Sequence, residues 1–313
     1  MEIKYRIGIM PGPWPSGTDG AGFLWELTDL CERSAIDSIW LSDRLASPVR
    51  DPRPEVMTTL AAIAARTSRL KFGPSVLVLP YRNPVVAAKE MATIDYFSGG
   101  RLLPAVGVGV ELPKEFEASG VPLKERGRRT DEAIQVIRRL WLEDEVTFHG
   151  EFYHLKGITI FPKPAQKPLP IWIGGNSEAA MRRAGRLGDG WIPSFIEPDA
   201  FARGVEQVQR YAREAGREVP ADHFGALVSY LLADPPETGW RLADPYIPRG
   251  RVDDATLRAS TAFGPPEVVA AKLEEYVAGG GSKFVLRPLC PPELMLEQLQ
   301  RLAEEVIPAF HRR

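Results

Sequence analysis

The sequence has little cysteine, no clustered histidine and no excess of charge. Cys31 and Cys290 are the two cysteines among 313 residues, and no Cys-x-x-Cys pair accompanies them, which argues against a disulfide scaffold and a structural zinc site. The four histidines share no metal-ligand spacing, so we expect no metal. The 39 Lys and Arg face 41 Asp and Glu, a net charge of −2, which gives no electrostatic reason to expect nucleic acid or an anionic membrane as a partner.

Long apolar runs are missing as well. No stretch approaches the ~18 apolar residues of a membrane-spanning helix. The first residues, MEIKYRIGIMPG, lack the basic and apolar regions of a secretion signal. G-x-S-x-G and P-loop motifs are also absent, which argues against an α/β-hydrolase and a nucleoside triphosphatase. We therefore expect a cytoplasmic protein that acts on a small molecule.

Proline and glycine, by contrast, are abundant, with 29 and 28 residues. They separate strand-like apolar runs from segments with helical spacing, and this alternation predicts eight strands, each followed by a helix. The predicted strands, numbered 1 to 8, are Tyr5–Met10, Ser38–Leu41, Lys71–Leu79, Arg101–Val108 and four that begin at Ile171, Gly190, Gly225 and Lys283.

Eight such units predict an α/β fold, a (β/α)8 TIM barrel in which residues 1–313 form a single domain. A doubly wound open sheet is the alternative. The turn PGPWPSG after strand 1 does not favour it, because it is not the G-x-G-x-x-G fingerprint.

Two insertions interrupt the repeat. Residues 144–168, after the helix that follows strand 4, alternate apolar and polar residues and predict a β-hairpin. Residues 234–263, after strand 7, have no regular period and predict an irregular segment, which we interpret as a lid or specificity loop. A mobile surface loop is the alternative. In the lid interpretation, Arg249 and Arg251 would bind an anionic or carbonyl-rich substrate.

The chemistry of a (β/α)8 barrel lies at the carboxyl ends of its strands. This rule selects Trp14 after strand 1, Ser42, Asp43 and Arg44 after strand 2, Ser75 and Val76 on strand 3, Gly107, Gly109 and Glu111 after strand 4, Gly174, Gly175, Asn176 and Ser177 after strand 5, and Arg287 at the end of strand 8.

Each of these positions also has a structural interpretation. The run GGNSEAA has the form of a phosphate cradle at a helix N-terminus, or of an ordinary turn in which Asn or Ser caps the helix. The glycines after strand 4 bind a ligand or only permit close packing. Asp43 orients a ligand or caps a turn. Arg287 neutralises a phosphate or carboxylate, or forms a surface ion pair.

Several stretches resemble the bacterial luciferase-like superfamily of flavin and deazaflavin barrel enzymes. They are TSRLKFGPSVLVLPYRNPVVAAKEMATIDYFSGGRLLPAVGVGV, EFEASGVPLKERGRRTDEAIQVIRRLW, FHGEFYHL, FPKPAQKPLPIWIGGNSEAAMRRAGRLGDGW and GPPEVVAAKLEEYVAGG. The resemblance covers nearly the whole chain except residues 234–260. Within the superfamily, the pattern is most similar to oxidoreductases that use the deazaflavin coenzyme F420.

The resemblance implies roles for the selected residues. A non-proline cis peptide, here Ser75–Val76, would support the cofactor ring from behind. Ser42 and Asp43 would contact the ring, Gly107, Val108 and Gly109 would approach its edge and ribityl chain, and Gly174, Gly175, Asn176 and Ser177 would hold its phosphate. From their places after strands 1, 2 and 8, we expect Trp14, Arg44 and Arg287 to contact the substrate. A reaction that needs a proton would draw it from Asp43, Glu111 or the loops.

The chain departs from the family pattern at three places. Arg44 follows Ser-Asp where many deazaflavin members have histidine, the turn GVGVELPKEF is one residue shorter than usual, and Pro74 replaces a small polar residue.

Taken as a whole, the resemblance implies hydride transfer between F420 and an organic substrate in a homodimer. An FMN-dependent monooxygenase is the alternative, and a flavin- or deazaflavin-binding protein without turnover is the second alternative.

Overall fold

The predicted alternation of strands and helices is confirmed by the computed structural model, which describes residues 4–15, 19–46, 53–250 and 252–311. The strands are β1 Arg6–Ile9, β2 Ser38–Leu41, β3 Lys71–Pro74, β4 Leu77–Val78, β5 Ala105–Gly107, β6 Val146–His149, β7 His154–Ile158, β8 Trp172–Gly174, β9 Gly190–Ile192, β10 Gly225–Leu232, β11 Thr261–Gly264 and β12 Lys283–Pro288.

The helices lie between these strands. They are α1 Asp19–Arg33, α2 Val56–Arg66, α3 Pro84–Phe97, α4 Pro113–Ser119, α5 Arg126–Leu142, α6 Glu178–Leu187, α7 Pro198–Glu214, α8 Pro236–Ala243, α9 Asp254–Ala259, α10 Pro266–Ala278, α11 Met295–Arg301 and α12 Ile307–His311, with a π-helical segment, Leu302–Val306, between the last two. Within the described ranges, no helix combines the length and apolar character that a bilayer crossing requires.

The parallel strands close into a barrel. One sheet has the order β11-β10-β12-β1-β2-β3 and the other β4-β5-β8-β9. Phe72 pairs with Leu102 at one junction, and Ser194 pairs with Leu227 at the other, so the two sheets continue into each other. The predicted α/β barrel is therefore confirmed.

Alternation along the barrel strands separates an inner cluster of side chains from an outer one. The outer cluster packs the strands against the helices. The inner cluster fills the barrel and consists of Met10, Trp40, Leu103, Ala105, Trp172, Ile192, Leu227 and Val285, with Val76 packed on it. Among the residues that the structure describes, this cluster fills the barrel interior below the mouth.

The first insertion contains the predicted hairpin, because β6 pairs antiparallel with β7. The expectation of an irregular segment after β10 was wrong: it contains α8 and α9 and leads into β11, which extends the sheet along β10. Trp240 of α8 packs edge to face on Phe263 of β11, with ring centroids 4.6 Å apart. Both helices are too short to show a helical period in the sequence.

Candidate functional site

A cavity of about 410 Å³ lies at the carboxyl ends of the barrel strands. It brings together eleven of the predicted site residues: Ser42, Asp43, Arg44, Ser75, Val76, Gly107, Val108, Gly109, Gly174, Gly175 and Arg287. Met10, Ile192 and Leu227 of the inner cluster reach it from below. A cavity of this size, with an apolar base and polar rim, is typical of small-molecule sites.

Val76 forms the centre of the cavity base. The Ser75–Val76 peptide bond is cis, as the family resemblance predicted. A Cβ atom on Gly107 would lie 2.7 Å from Val76 Cγ2, and one on Gly174 would also meet the Val76 side chain. Glycine at these two positions is therefore required by the close approach of β5 and β8 to Val76, so packing alone accounts for both residues.

Asp43 is fixed by a buried ion pair. Arg82 binds it through both nitrogens, with Nη1 2.5 Å from Oδ2 and Nη2 3.0 Å from Oδ1, and the backbone N–H of Val78 donates to Oδ2 at 2.9 Å. Burial alone would lower the pKa of Arg82, but Asp43 and Glu55 raise it. Because both oxygens of Asp43 accept hydrogen bonds, this geometry favours a role in positioning β4 over the predicted role as a proton donor.

Glu111, the other predicted proton donor, lies outside the cavity lining. Its side chain is 71% exposed and pairs with Arg126, with 2.6 Å between Oε1 and Nη2. The acidic residue of this segment that does line the cavity is Glu115, a residue of α4 that is 3% exposed. The sequence did not reveal it, because α4 is a short helix that starts at a proline and was not predicted.

Glu115 joins the loop after β2 to the end of β4. Its Oε1 accepts hydrogen bonds from the backbone N–H groups of Leu45 and Ala46 at 3.1 and 3.0 Å. Its Oε2 accepts one from Tyr81 Oη at 3.0 Å and lies 3.6 Å from Arg44 Nη1. These contacts fix the position of the carboxylate at the cavity wall.

Tyr81 also lines the cavity and was not predicted from the sequence. Burial raises the pKa of its phenol, and the negative charges of Glu115 and Asp43 raise it further, so the phenol is neutral. It lies in a 3-10 turn, Leu79–Tyr81, directly after strand β4. Its place just past the end of a barrel strand is the signal that could have found it.

In the turn after β8, Ser177 acts as the helix cap that was one of its two interpretations. Its Oγ accepts a hydrogen bond from the backbone N–H of Ala180 at the start of α6, at 3.2 Å. Asn176 Nδ2 donates to the backbone oxygens of Ser194 and Phe195 at 3.3 and 3.4 Å. Asn176 lines a neighbouring cavity of about 350 Å³, and Phe195 lines both cavities. Gly175 has φ +103°, a conformation that favours glycine.

Two of the remaining predicted substrate residues, Trp14 and Arg249, do not line this cavity. Trp14 packs edge to face on Phe23 and lines a separate small cleft. Arg249 is 62% exposed and pairs with Asp244. Arg251 lies outside the described residues. The insertion instead contributes Pro248 to the cavity lining.

Arg53 is a further cation at the rim, and sequence analysis did not select it. It lines the cavity and donates to Ser42 Oγ at 2.6 Å. Together with Arg44 and Arg287 it places three guanidinium groups around the mouth, against the carboxylates of Asp43 and Glu115. Arg82 neutralises Asp43, and Arg44 Nη1 lies 3.6 Å from Glu115 Oε2, so the mouth offers both guanidinium and carboxylate groups to a polar ligand.

Comparison with known proteins gives both sequence relatives and structural neighbours. The luciferase-like monooxygenase family matches residues 1–251. An uncharacterized protein of Mycobacterium tuberculosis is 40% identical over 170 residues, 54% of this chain and 58% of that protein, so the match spans little more than half of its length. The F420-dependent glucose-6-phosphate dehydrogenase of Kineococcus radiotolerans is 35% identical over 320 residues, 92% of each chain.

An FMNH2-dependent dimethylsulfone monooxygenase of Pseudomonas putida is 34% identical over 199 residues, 62% of this chain and 54% of that protein. Among solved structures, the monooxygenase RslO1 of Streptomyces bottropensis has a TM-score of 0.85 at 22% identity, covering 97% of this chain and 99% of its own. An F420-dependent secondary alcohol dehydrogenase has a TM-score of 0.81 at 20% identity, covering 98% and 99%. At these identities the structures support the barrel fold alone.

Proposed function

Since this chain belongs to the luciferase-like monooxygenase family, we propose that it is an oxidoreductase that binds the deazaflavin F420 in the cavity and exchanges a hydride with an organic substrate. The observation that carries the proposal is the apolar surface of Val76, which packs against Gly107 and Gly174 and lines the cavity at the barrel mouth. A flat ring system needs such a surface. The preference for F420 over FMN comes from the relative matched over 92% of both chains.

The cavity residues fit such a group. Its apolar base, with Val76, Ile192 and Leu227, suits an aromatic ring, and its rim of hydroxyl, backbone and guanidinium groups suits polar ring edges. We assign the phosphate of the cofactor to the turn Gly174–Ser177, where α6 begins. When bound, the deazaflavin supplies a ring carbon that accepts or donates a hydride.

The protein's own part is to position the reactants and to move a proton. The Asp43–Arg82 ion pair holds β4, and therefore the cavity wall, in place. Tyr81 Oη donates to Glu115 Oε2, so its lone pairs are available to a substrate hydroxyl. As the substrate carbon loses a hydride, its O–H proton would pass to Tyr81 while the phenol proton passes to Glu115; reduction runs the same path backwards.

Turnover assays test this proposal. Absorbance of F420 would be followed with the purified protein and a panel of alcohols, sugar phosphates and carbonyl compounds. We expect F420 reduction or oxidation with at least one of them, and a loss of about 10²-fold or more in kcat for Tyr81→Phe, with unchanged F420 affinity. Absence of turnover across the panel, with F420 still bound, would favour a cofactor-binding protein without an enzymatic role.

A monooxygenase that uses reduced FMN is the second candidate, because the Pseudomonas putida relative is named as one at 34% identity. The discriminating reaction is oxygen consumption. Reduced FMN with the protein and the same panel would give oxygenated products in this case, whereas a deazaflavin enzyme would give products that differ from substrate by two hydrogens only.

We also propose that the protein is a cytoplasmic homodimer. The outer face of α3 exposes Val86, Tyr96 and Phe97, the last at 78%, which is unusual for a large apolar side chain of a monomer. Sedimentation of the wild type and of Phe97→Glu tests this. A dimer that the substitution dissociates supports the proposal, and a wild-type monomer contradicts it.

A further inference from the structure

The β6–β7 hairpin carries two histidines at directly opposite positions. His149 is the last residue of β6 and His154 is the first residue of β7, and the antiparallel register pairs the two. They are five residues apart along the chain, which is not a metal-ligand spacing on one helix or one strand. The expectation of no metal rested on that spacing, whereas it is the pairing of the strands that brings the two residues together.

The pair is of the kind in which side chains approach each other most closely. The backbone N–H of Gly150 donates to Tyr153 O at 3.0 Å, so this hydrogen bond lies one residue beyond the pair, towards the turn. His149 and His154 therefore form a non-hydrogen-bonded pair, in which the Cα atoms lie about 4.5 Å apart and both side chains project from one face. At that separation two imidazole rings can ligate one metal ion, at about 2.0 to 2.1 Å from each nitrogen.

The two histidines project from the outer face of the hairpin. Phe148 and Leu155, the next pair in the ladder, lie on the other face and pack against the core. His149 and His154 are both exposed, and neither ring has a hydrogen bond or an ion pair with any residue that the structure describes. Their ring nitrogens are therefore available to a ligand from solvent.

The hairpin is fixed on helix α5. Glu132 Oε2 accepts a hydrogen bond from the backbone N–H of Phe152 at 2.8 Å, and the Arg129 guanidinium lies over the Phe152 ring, 4.3 Å from its centroid. Glu151 of the turn pairs with Arg128. Because the strands are held in register in this way, little backbone order is lost when both rings bind the same ion.

We propose that His149 and His154 form a binding site for one divalent transition-metal ion, with Cu²⁺ preferred over Ni²⁺ and Zn²⁺. Neutral imidazole suits these ions, and Cu²⁺ has the highest affinity of the series for a given set of nitrogen ligands. In the described parts of the chain, no group of three His, Cys, Asp or Glu residues could hold a metal, so water fills the remaining coordination positions. The site is therefore open and exchangeable, unlike a closed structural zinc site.

The metal site is independent of the proposed function, since no residue of the hairpin lines the cavity at the barrel mouth. A metal bound by both rings joins β6 to β7 and stabilises the folded chain by mass action. Lys156, the next residue on the same face of β7, is a like charge that limits the affinity, although water and salt screen it at this exposed position.

Calorimetric titration of tag-free protein with Cu²⁺ and Ni²⁺ tests the proposal. We expect His149→Asn and His154→Asn each to weaken Cu²⁺ binding about tenfold or more. The double variant would bind within about threefold of either single variant, because a single imidazole no longer chelates the ion and the two effects are not additive. Electron paramagnetic resonance of the Cu²⁺ complex gives a direct readout, with hyperfine coupling to two imidazole nitrogens in the wild type and to one in each single variant.

His223→Asn is the matched control. The His223 ring is half-buried, with Nδ1 2.6 Å from Asp189 O and the ring packed on Trp172. This variant would keep the wild-type Cu²⁺ affinity, and thermal unfolding of all metal-free variants checks that the fold is intact. Wild-type affinity in His149→Asn or His154→Asn, additive losses in the double variant, or coupling to one nitrogen only in the wild type would show an adventitious ion only and overturn the site.

Discussion

The close approach of Val76 to the neighbouring strands can be tested by adding one methyl group. In Gly107→Ala the new Cβ would lie 2.7 Å from Val76 Cγ2, whereas carbon atoms pack best at about 3.5 to 4.0 Å. Val76 must therefore move by about 1 Å. Overpacking of this kind costs about 1 to 3 kcal/mol, and each 1 kcal/mol lowers the Tm of a large domain by about 2 to 4 °C.

A second substitution makes the test specific. Val76→Ala removes both Cγ atoms, after which the new methyl would meet Val76 Cβ at 3.4 Å, close to ordinary packing. The double variant Gly107→Ala/Val76→Ala would therefore be at least about 1 kcal/mol more stable than the sum of the single effects predicts. F420 affinity would fall in Gly107→Ala, because the displaced Val76 enters the proposed ring site.

Thermal unfolding and fluorescence titration with F420 measure the two effects. Gly22→Ala is the control, since it lies exposed on α1 and a Cβ there would meet no atom within 4 Å; we expect its Tm to be equal to that of the wild type or slightly higher. Wild-type stability of Gly107→Ala, or purely additive effects in the double variant, would refute the packing argument.

Three further predictions follow from buried or hydrogen-bonded groups. Asp43→Asn leaves the Arg82 guanidinium without its main counter-ion and would lower the free energy of unfolding by about 2 to 4 kcal/mol in urea denaturation, whereas a change below 0.5 kcal/mol would contradict the buried ion pair. The pKa of Glu32 is lowered from 4.5 to about 2, because hydrogen bonds from the backbone N–H groups of Ser68, Arg69 and Leu70 outweigh the effect of burial. The stabilisation that this carboxylate provides is present above pH 4.5 and is lost as the pH falls towards 2. The stability advantage of the wild type over Glu32→Gln would therefore shrink over that range, and a constant difference would argue against it. Burial raises the pKa of both thiols, that of Cys290 to about 12, so Cys31 and Cys290 would not react with a disulfide reagent at pH 8 until the protein is denatured, and rapid labelling of the native protein would show that they are accessible.

The barrel and most of its mouth could be predicted, because both depend on local patterns. Short apolar runs followed by segments with helical spacing predicted the strands, and the rule that sites lie at strand ends then selected residues such as Ser42 and Gly109, which do line the cavity. The side chains that complete the site were missed because their partners are distant in sequence. Arg82, for example, is 39 residues from Asp43.

The reason for the glycines also lay beyond sequence patterns. GVGV and IGG are compatible with a phosphate site or with close packing, and only the position of Val76 shows that packing requires Gly107 and Gly174. Which acidic residue after strand 4 lines the cavity could not be read from the sequence for a similar reason. Glu111 and Glu115 are both acidic residues after one strand, and only the fold of α4 directs the second one into the cavity.

The central claim is that the cavity around Val76 binds a deazaflavin. Its most direct test is equilibrium titration of the purified protein with F420 and with FMN under the same conditions, followed by fluorescence. The account predicts saturable F420 binding with a dissociation constant at least tenfold below that for FMN, and loss of this binding in Gly107→Ala. Tight FMN binding with no affinity for F420 would contradict it.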